Sequence, residues 1–448
     1  MNPNFHLIDF IILGIYAVAL IGIGWWVSRT KKGQTKTAED YFLASKALPW
    51  WAIGSSLIAA NISAEQFIGM AGSGFAGGLA VASYEFMAAL TLIIVGKFFL
   101  PIFIKQGIYT IPEFVERRFS TNLKTILAVF WIALFIFVNL TSVLFLGGKA
   151  IDTVIGTGDG SMVIPAIIAL ALFAAAYSLY GGLSAVAWTD VLQVALLVIG
   201  GIITTVIALN YVTPEGGIIN GISHVADVAG DKFDMVLSRD NKEYNNLPGI
   251  YVLIGGLWVA NLYYWGFNQY IIQRTLAARS LKEAQRGIAF AAFLKMLIPF
   301  IVAVPGIIAW VMYSENMYNA QSAFEIAGST SLNNDNAYPW LISSFIPMGL
   351  KGLVLAALAA AIVSSLASML NSTSTIFTMD IYKPYFNPQA SQQRLVNVGR
   401  LSAGIALVIA ILMAPLLGGI DQMFQYIQEY TGLVSPGILA VFLMGLFW

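Results

Sequence analysis

The sequence predicts an all-α integral membrane protein of about eleven transmembrane helices, ten of them forming two inverted five-helix halves behind one extra N-terminal helix. Three observations predict this. The 448-residue chain is 58% hydrophobic and only 10% charged, with mean hydropathy +0.78, whereas soluble domains carry about 25% charged residues. Eleven apolar stretches have the length of ~20 residues that a hydrocarbon core of ~30 Å demands. Two of these stretches, five apart, are interrupted by polar clusters at matched positions.

The stretches run over 7–28, 48–72, 79–104, 122–152, 161–180, 186–211, 249–273, 286–313, 340–380, 395–418 and 422–448. The first lacks a basic leader and is followed by Arg29, Lys31 and Lys32, so it reads as a first span and not as a cleavable signal. The ninth is too long for one helix and is expected to include a re-entrant or interfacial piece before the helix proper. Basic residues concentrate after stretches one, three, seven and nine, where Lys36, Lys46, Arg117, Arg118, Arg274, Arg279, Lys383 and Arg394 are among them. Alternating spans put all four of these loops on one face, which is then the cytoplasmic one. The N-terminus is therefore expected outside and the C-terminus inside. The expected division is 1–47 for the extra helix and its loop, 48–212 for the first repeat, 213–248 for an external loop and 249–448 for the second, inverted repeat.

Composition also excludes. Net charge is zero, with 23 basic and 23 acidic residues, which argues against a nucleic-acid partner. The absence of cysteine removes thiolate metal sites and a cysteine nucleophile, and two distant histidines do not make a metal centre. Gly72-Ser73-Gly74-Phe75-Ala76-Gly77 matches G-x-G-x-x-G but follows a helix and lacks a βαβ context. Asn61, Asn139 and Asn371 begin glycosylation-like triplets, yet lie inside spans where no glycan is attached. No nucleophile–base pair or metal-ligand motif is present, so an enzyme is not expected.

The informative residues are polar ones at membrane depth. The second stretch contains Asn61-Ile62-Ser63-Ala64-Glu65-Gln66, and the seventh Asn261-Leu262-Tyr263-Tyr264-Trp265-Gly266-Phe267-Asn268-Gln269. A central charge costs about 2.5–3.5 kcal/mol on insertion scales, so such residues usually mark a pathway or a site. In inverted-repeat transporters the first helix of each half is broken, and solute and ion meet at the breaks near the midplane. Amides that merely glue helices together are the bland reading for any one of these residues; two matched clusters weigh against it. In the ninth stretch Ser364, Ser368, Asn371 and Thr375 share one helix face, and Ser364-Ser365 offers two adjacent hard oxygens suited to an alkali cation. A lone membrane serine more often bonds its own i−4 carbonyl. Glu85, Asp190 and Lys295 are charges in apolar surroundings, and Lys295 is expected to pair with a carboxylate or a hydroxylated ligand.

At these residues the sequence resembles the sodium:solute symporter family, in particular its bacterial sodium/galactose members related to sodium/glucose cotransporters. The resemblance rests on Asn61 to Met70, Ser83-Tyr84-Glu85, Gly181 to Asp190, Asn261 to Leu276, Ala361 to Asp380 and Gln425 to Gly432. It implies a leucine-transporter-like fold and a co-transported sodium ion. The implied sodium ligands are the carbonyls of Ala59, Ile62 and Ala361 and the hydroxyls of Ser364 and Ser365, with Asp190 behind them. The implied sugar contacts are Gln66, Glu85, Asn261, Lys295 and Gln428, with Asn61 and Tyr84 close by. Tyr264 would be the inner gate, and Met70, Tyr84 and Phe424 the outer one. Ala88 departs from the galactose-type pattern, which has serine there, and leaves the preferred epimer open. Rival expectations are a symporter of the same fold for an amino acid, sialic acid or a vitamin, and, from another class, a sugar-sensing receptor.

Overall fold

The computed structural model describes residues 6–29, 35–156, 158–244, 247, 249–326, 332–418 and 423–448, with side chains in the last helix from 427 on. Among the described residues the architecture is helical, and nine segments are long and apolar enough to cross a membrane. They are Leu7–Ser28, Glu65–Gln106, Thr121–Val154, Val163–Gly181, Leu183–Tyr211, Leu281–Ser314, Leu350–Phe386, Gln392–Leu417 and Ile427–Phe447. The expected second and seventh spans are missing from this set for a physical reason: both are broken. The second divides into Trp50–Asn61 and a helix resuming at Glu65, and the seventh into Leu257–Phe267 and Gln269–Leu276. The ninth stretch separates as expected into a short helix, Ala337–Phe345, and a long one, Leu350–Ile376.

Burial orders these segments around a centre. In Leu350–Phe386 the apolar window is 94% buried, against 22% in Leu7–Ser28. The serine-bearing helix is thus the core of the bundle, and the first helix lies at its periphery. That peripheral helix is nonetheless fastened to the core. Asp9 is fully buried, and its carboxylate Oδ1 accepts hydrogen bonds from the backbone N–H of Gly349 and Gly352, both at 2.8 Å. These are the unpaired donors at the start of Leu350–Ile376, where a negative charge also meets the positive end of the helix dipole.

Two local devices position the site. Gly182 adopts φ +64°, and a Cβ there would lie 2.3 Å from the Tyr41 carbonyl oxygen. Only glycine allows Val163–Gly181 to hand over so sharply to Leu183–Tyr211, the helix that carries Asp190. On the opposite side of the chain's long loop, Lys232 donates to the carbonyls of Phe75 and Ala76 at 2.8 and 2.5 Å. Its ammonium also lies 4.6 Å from the centre of the Trp310 ring. The 213–248 segment is therefore tied to the end of Ala71–Gly77, where carbonyls lack helical partners and a cation is favoured. Burial pushes the Lys232 ammonium down to about 8.

Candidate functional site

The two helix breaks arise from local chemistry. Trp50–Asn61 stops at Ile62, whose backbone is extended at φ −80°, ψ 104°. Ser63 and Gln66 then take over the bonding that the helix loses: Ser63 N–H donates to Gln66 Oε1 at 3.0 Å, and Glu65 N–H donates to Ser63 Oγ at 3.0 Å. Side chains of this kind offer the backbone an alternative to the helix ladder. The chain resumes over Glu65–Met70 with the wide, π-type turn that often accompanies functional sites. In the seventh stretch Asn268 is extended at φ −79°, ψ 122°, and its carbonyl accepts from Ile271 and Ile272 to start Gln269–Leu276.

The first break meets the core helix at the serine pair. Ser365 Oγ donates to the Ala60 carbonyl at 3.0 Å and lies 3.5 Å from the Ala59 carbonyl. Ser364 Oγ donates to Asp190 Oδ1 at 2.5 Å. Ala59, Ile62, Ala361, Ser364 and Ser365 are all buried, and the Ser365 hydroxyl meets the Ala59 and Ala60 carbonyls of the neighbouring helix away from water. Hard, neutral oxygens in such a pocket can replace the hydration shell of an alkali cation. The i−4 expectation for serine is met elsewhere on the same face: Ser368 donates to the Ser364 carbonyl, and Thr375 to the Asn371 carbonyl, both at 2.7 Å.

Behind Asp190 stands a residue that the sequence reading placed in a cytoplasmic loop. Arg274 is fully buried on Gln269–Leu276, and its guanidinium lies 3.8 Å from Asp190 Oδ2. It donates to Ser56 Oγ at 2.7 Å and to the Ser56 carbonyl at 3.1 Å, and also to Ser368 Oγ and the Tyr270 carbonyl. Ser56 in turn donates to Asp190 Oδ2 at 2.5 Å. The error has a plain cause: an arginine near the end of an apolar stretch looks like a loop residue, and charge counting alone does not reveal a buried carboxylate partner. Gln273 completes the clasp, donating to the Phe42 carbonyl at 2.7 Å and to Thr375 Oγ1 at 2.9 Å. The inner half of the seventh stretch is thus bonded to both the first break and the core helix.

Above this clasp lies a cavity between the two breaks. Gln66, Glu85, Asn261, Lys295, Gln428, Asn61 and Tyr84 all line it, as do Tyr264 and Ala88. Lys295 and Glu85 form a buried, hydrogen-bonded ion pair, as the depth of Lys295 led us to expect, and Lys295 also lies 5.2 Å from the Trp265 ring centre. Asn61 Nδ2 donates to the Tyr264 hydroxyl at 2.9 Å, and that hydroxyl is shared with Tyr270. Asn261 Nδ2 donates to the Leu257 carbonyl at 2.9 Å. Met70 is fully buried and is not among the lining residues, while Phe424 lies outside the described side chains. Lining residues that the sequence reading passed over are Glu65, Asn139, Tyr263, Asn268 and Tyr270. Asn139 sits in a second π-type segment, Phe135–Leu140, which is invisible to apolar periodicity.

Residues 41–448 match the sequence profile of the Sodium:solute symporter family. The chain belongs to the sodium:solute symporter family. It is 64% identical over 444 residues to a sodium/glucose cotransporter of Vibrio parahaemolyticus, covering 98% of this chain and 81% of that one. It is 33% identical over 459 residues to a sodium/myo-inositol cotransporter 2 of Sus scrofa, covering 98% of this chain and 66% of that protein. With a sodium/glucose cotransporter 4 of Mus musculus the identity is 33% over 467 residues, covering all of this chain and 66% of that one. The chain thus spans just under two thirds of these mammalian relatives. A solved structure of a sodium-coupled sialic acid symporter, substrate-bound and outward-open, superposes with TM-score 0.83 at 26% identity, over 99% of this chain and 87% of that one. The fold is the leucine-transporter type, in a multi-pass membrane protein of a sodium-coupled transporter family.

Proposed function

We propose that the chain couples sodium entry to uptake of a neutral hexose, galactose or glucose, by alternating access. The observation that carries this reading is a cavity at the helix breaks that is lined by all seven candidate hydrogen-bonding residues together with Tyr264. A hexose presents many hydroxyls that donate and accept, and Glu85, Lys295, Asn261, Gln66 and Gln428 together offer both functions. The Glu85–Lys295 pair supplies them without net charge. The 64% identical relative, a sodium/glucose cotransporter, supports the same substrate class.

In this reading sodium is held by the carbonyls of Ala59, Ile62 and Ala361 and the hydroxyls of Ser364 and Ser365, with Asp190 behind. Binding there fixes the broken second stretch against the core helix and orders the sugar contacts. Tyr264 covers the apolar sugar face and closes the inner side, and Met70, Tyr84 and Phe424 close the outer side. One inward charge contributes ~2.3 kcal/mol per 100 mV, enough to accumulate sugar. The two repeats are 48–212 and 249–448, the N-terminus is external, the membrane is a bacterial inner membrane, and no covalent chemistry is performed on the sugar. Labelled hexose uptake into proteoliposomes tests this: uptake indifferent to sodium, or driven equally by protons, refutes it.

A second reading, transport of a carboxylated solute, draws on the sialic acid symporter structure. It requires an unpaired cation in the cavity, and the one lysine lining it is committed to Glu85. Sialic acid that fails to compete with galactose separates the two.

A further inference from the structure

The neutral-hexose reading leaves one charge in the cavity unused. Three charged side chains line it: Glu65, Glu85 and Lys295. Lys295 is paired with Glu85, and no salt bridge to Glu65 occurs among the described residues. Its Oε1 is buried without a hydrogen-bond partner. The Oδ1 atoms of Asn61, Asn139 and Asn268, which line the same cavity, are in the same condition, and Asn61 and Asn268 are only 8% and 3% exposed.

We propose that the cavity also takes a cationic amino sugar, a hexose bearing a protonated amine, with Glu65 as its counter-charge and the three asparagine carbonyls as its further acceptors. This rests on the sugar reading above. Five unmet side-chain atoms line the cavity; four of them only accept, the fifth, the Tyr263 hydroxyl, can also donate, and an ammonium group is a charged set of three donors with no acceptor. Sugar hydroxyls can satisfy the amide oxygens one by one, but they offer no counter-charge that would favour an ionised Glu65 in a site of low dielectric. The aromatic residues Tyr264 and Trp265 line the same space, and the Trp265 ring already holds the Lys295 ammonium 5.2 Å from its centre. The position of Glu65 is built rather than incidental. It opens the π-type turn immediately after the first break, with its backbone N–H held by Ser63, so its carboxylate is set beside the sugar contacts Asn61 and Gln66.

The test is sodium-driven uptake of labelled galactose and labelled galactosamine at pH 7 into proteoliposomes of the unmodified protein and of Glu65→Gln, with N-acetylgalactosamine as the uncharged competitor. The unmodified protein should take up galactosamine. Glu65→Gln should lower the selectivity ratio, kcat/KM for galactosamine over that for galactose, about tenfold or more, as expected from losing one charge-assisted hydrogen bond. Competition by N-acetylgalactosamine, which lacks the charge, should not change relative to galactose on Glu65→Gln. Galactosamine that is neither transported nor competitive while galactose is taken up overturns this proposal alone. A selectivity ratio unchanged by Glu65→Gln, with galactosamine transported, also overturns it. Failure of the unmodified protein to move galactose with sodium overturns both the sugar reading and this extension.

Discussion

Replacing Arg274 with methionine is the most informative single perturbation. Arg274 and Asp190 have side chains with no solvent exposure, 3.8 Å apart. Methionine keeps much of the arginine stem's volume but removes the guanidinium's bonds to Ser56, Ser368 and the Tyr270 carbonyl. Asp190 is then left with hydroxyl donors alone, from Ser56 and Ser364. Breaking a buried pair from one side costs about 3–5 kcal/mol, because an uncompensated charge stays buried. In the double variant Asp190→Asn/Arg274→Met that charge is gone, and what remains is the loss of individual hydrogen bonds at about 1 kcal/mol each. The double variant should therefore be more stable than Arg274→Met alone, with a coupling energy of about 2 kcal/mol or more. Unfolding in detergent without sodium, measured for the two single variants and the double, gives this number directly. The same preparations, reconstituted, should show that the double variant regains stability but not sodium dependence, since Ser364 has lost its anionic acceptor. Additive single effects, or a double variant no more stable than Arg274→Met, would refute the coupling of this buried pair.

Other outcomes follow from the same geometry. Ser365→Ala should raise the sodium concentration for half-maximal uptake about three- to tenfold, the worth of one net hydrogen-bonding oxygen, while Gln66→Ala should act mainly on the sugar KM; paired sodium and sugar titrations distinguish them. Lys295→Met should abolish most hexose uptake, because it strands the Glu85 carboxylate, and Glu85→Gln/Lys295→Met should recover expression without recovering uptake. Lys232 gives a pH signature. Its folded value of about 8 lies below the ordinary 10.5, so between these the folded loop binds fewer protons than the unfolded chain, and stability rises with pH across that window. Thermal unfolding between pH 8 and 10 should show this slope in the unmodified protein and a smaller one in Lys232→Met.

Much of the fold was legible because a bilayer leaves few choices: long apolar stretches must be helices, and polar residues inside them must be explained. The breaks at Ile62 and Asn268 fall inside the two polar clusters, which were readable as interruptions of apolar helices. The cavity set was readable for a related reason, since Gln66, Glu85, Asn261 and Lys295 are each too costly to bury without purpose. Arg274 was not, because its meaning depends on Asp190, 84 positions away in sequence and on another helix. Asn139 entered only as the start of a glycosylation-like triplet inside a span, and its place on the cavity wall, in a π-type segment, is a three-dimensional fact. Glu65 stood in plain view inside the first cluster, but its lack of a counter-charge is a three-dimensional fact.

The arrangement also explains how an ion could act on a sugar site without a long relay. Ala59 and Ala60, whose carbonyls face Ser365, are followed directly by Asn61, whose amide holds the Tyr264 hydroxyl at 2.9 Å. The proposed ion ligand Ala59 and the proposed gate contact Asn61 are thus two residues apart at the end of one half-helix, and a movement of that end by a fraction of a turn disturbs both. The second half-helix closes the loop from the other side. Tyr264 and Tyr270 share a hydroxyl contact across the Asn268 break, and Arg274, four residues after Tyr270, is bonded to Ser56 and faces Asp190. The Tyr264 ring therefore has two tethers, one through Asn61 to the serine pair and one through Tyr270 to Asp190. If both transmit the ion's presence, Asn61→Ala should weaken the sodium dependence of sugar affinity without abolishing it, and Asn61→Ala combined with Tyr270→Phe should weaken it further. Sugar affinity measured at saturating and at zero sodium in the two variants decides the matter: sodium dependence in the double variant equal to that of the unmodified protein would mean that the gate answers to the sugar alone.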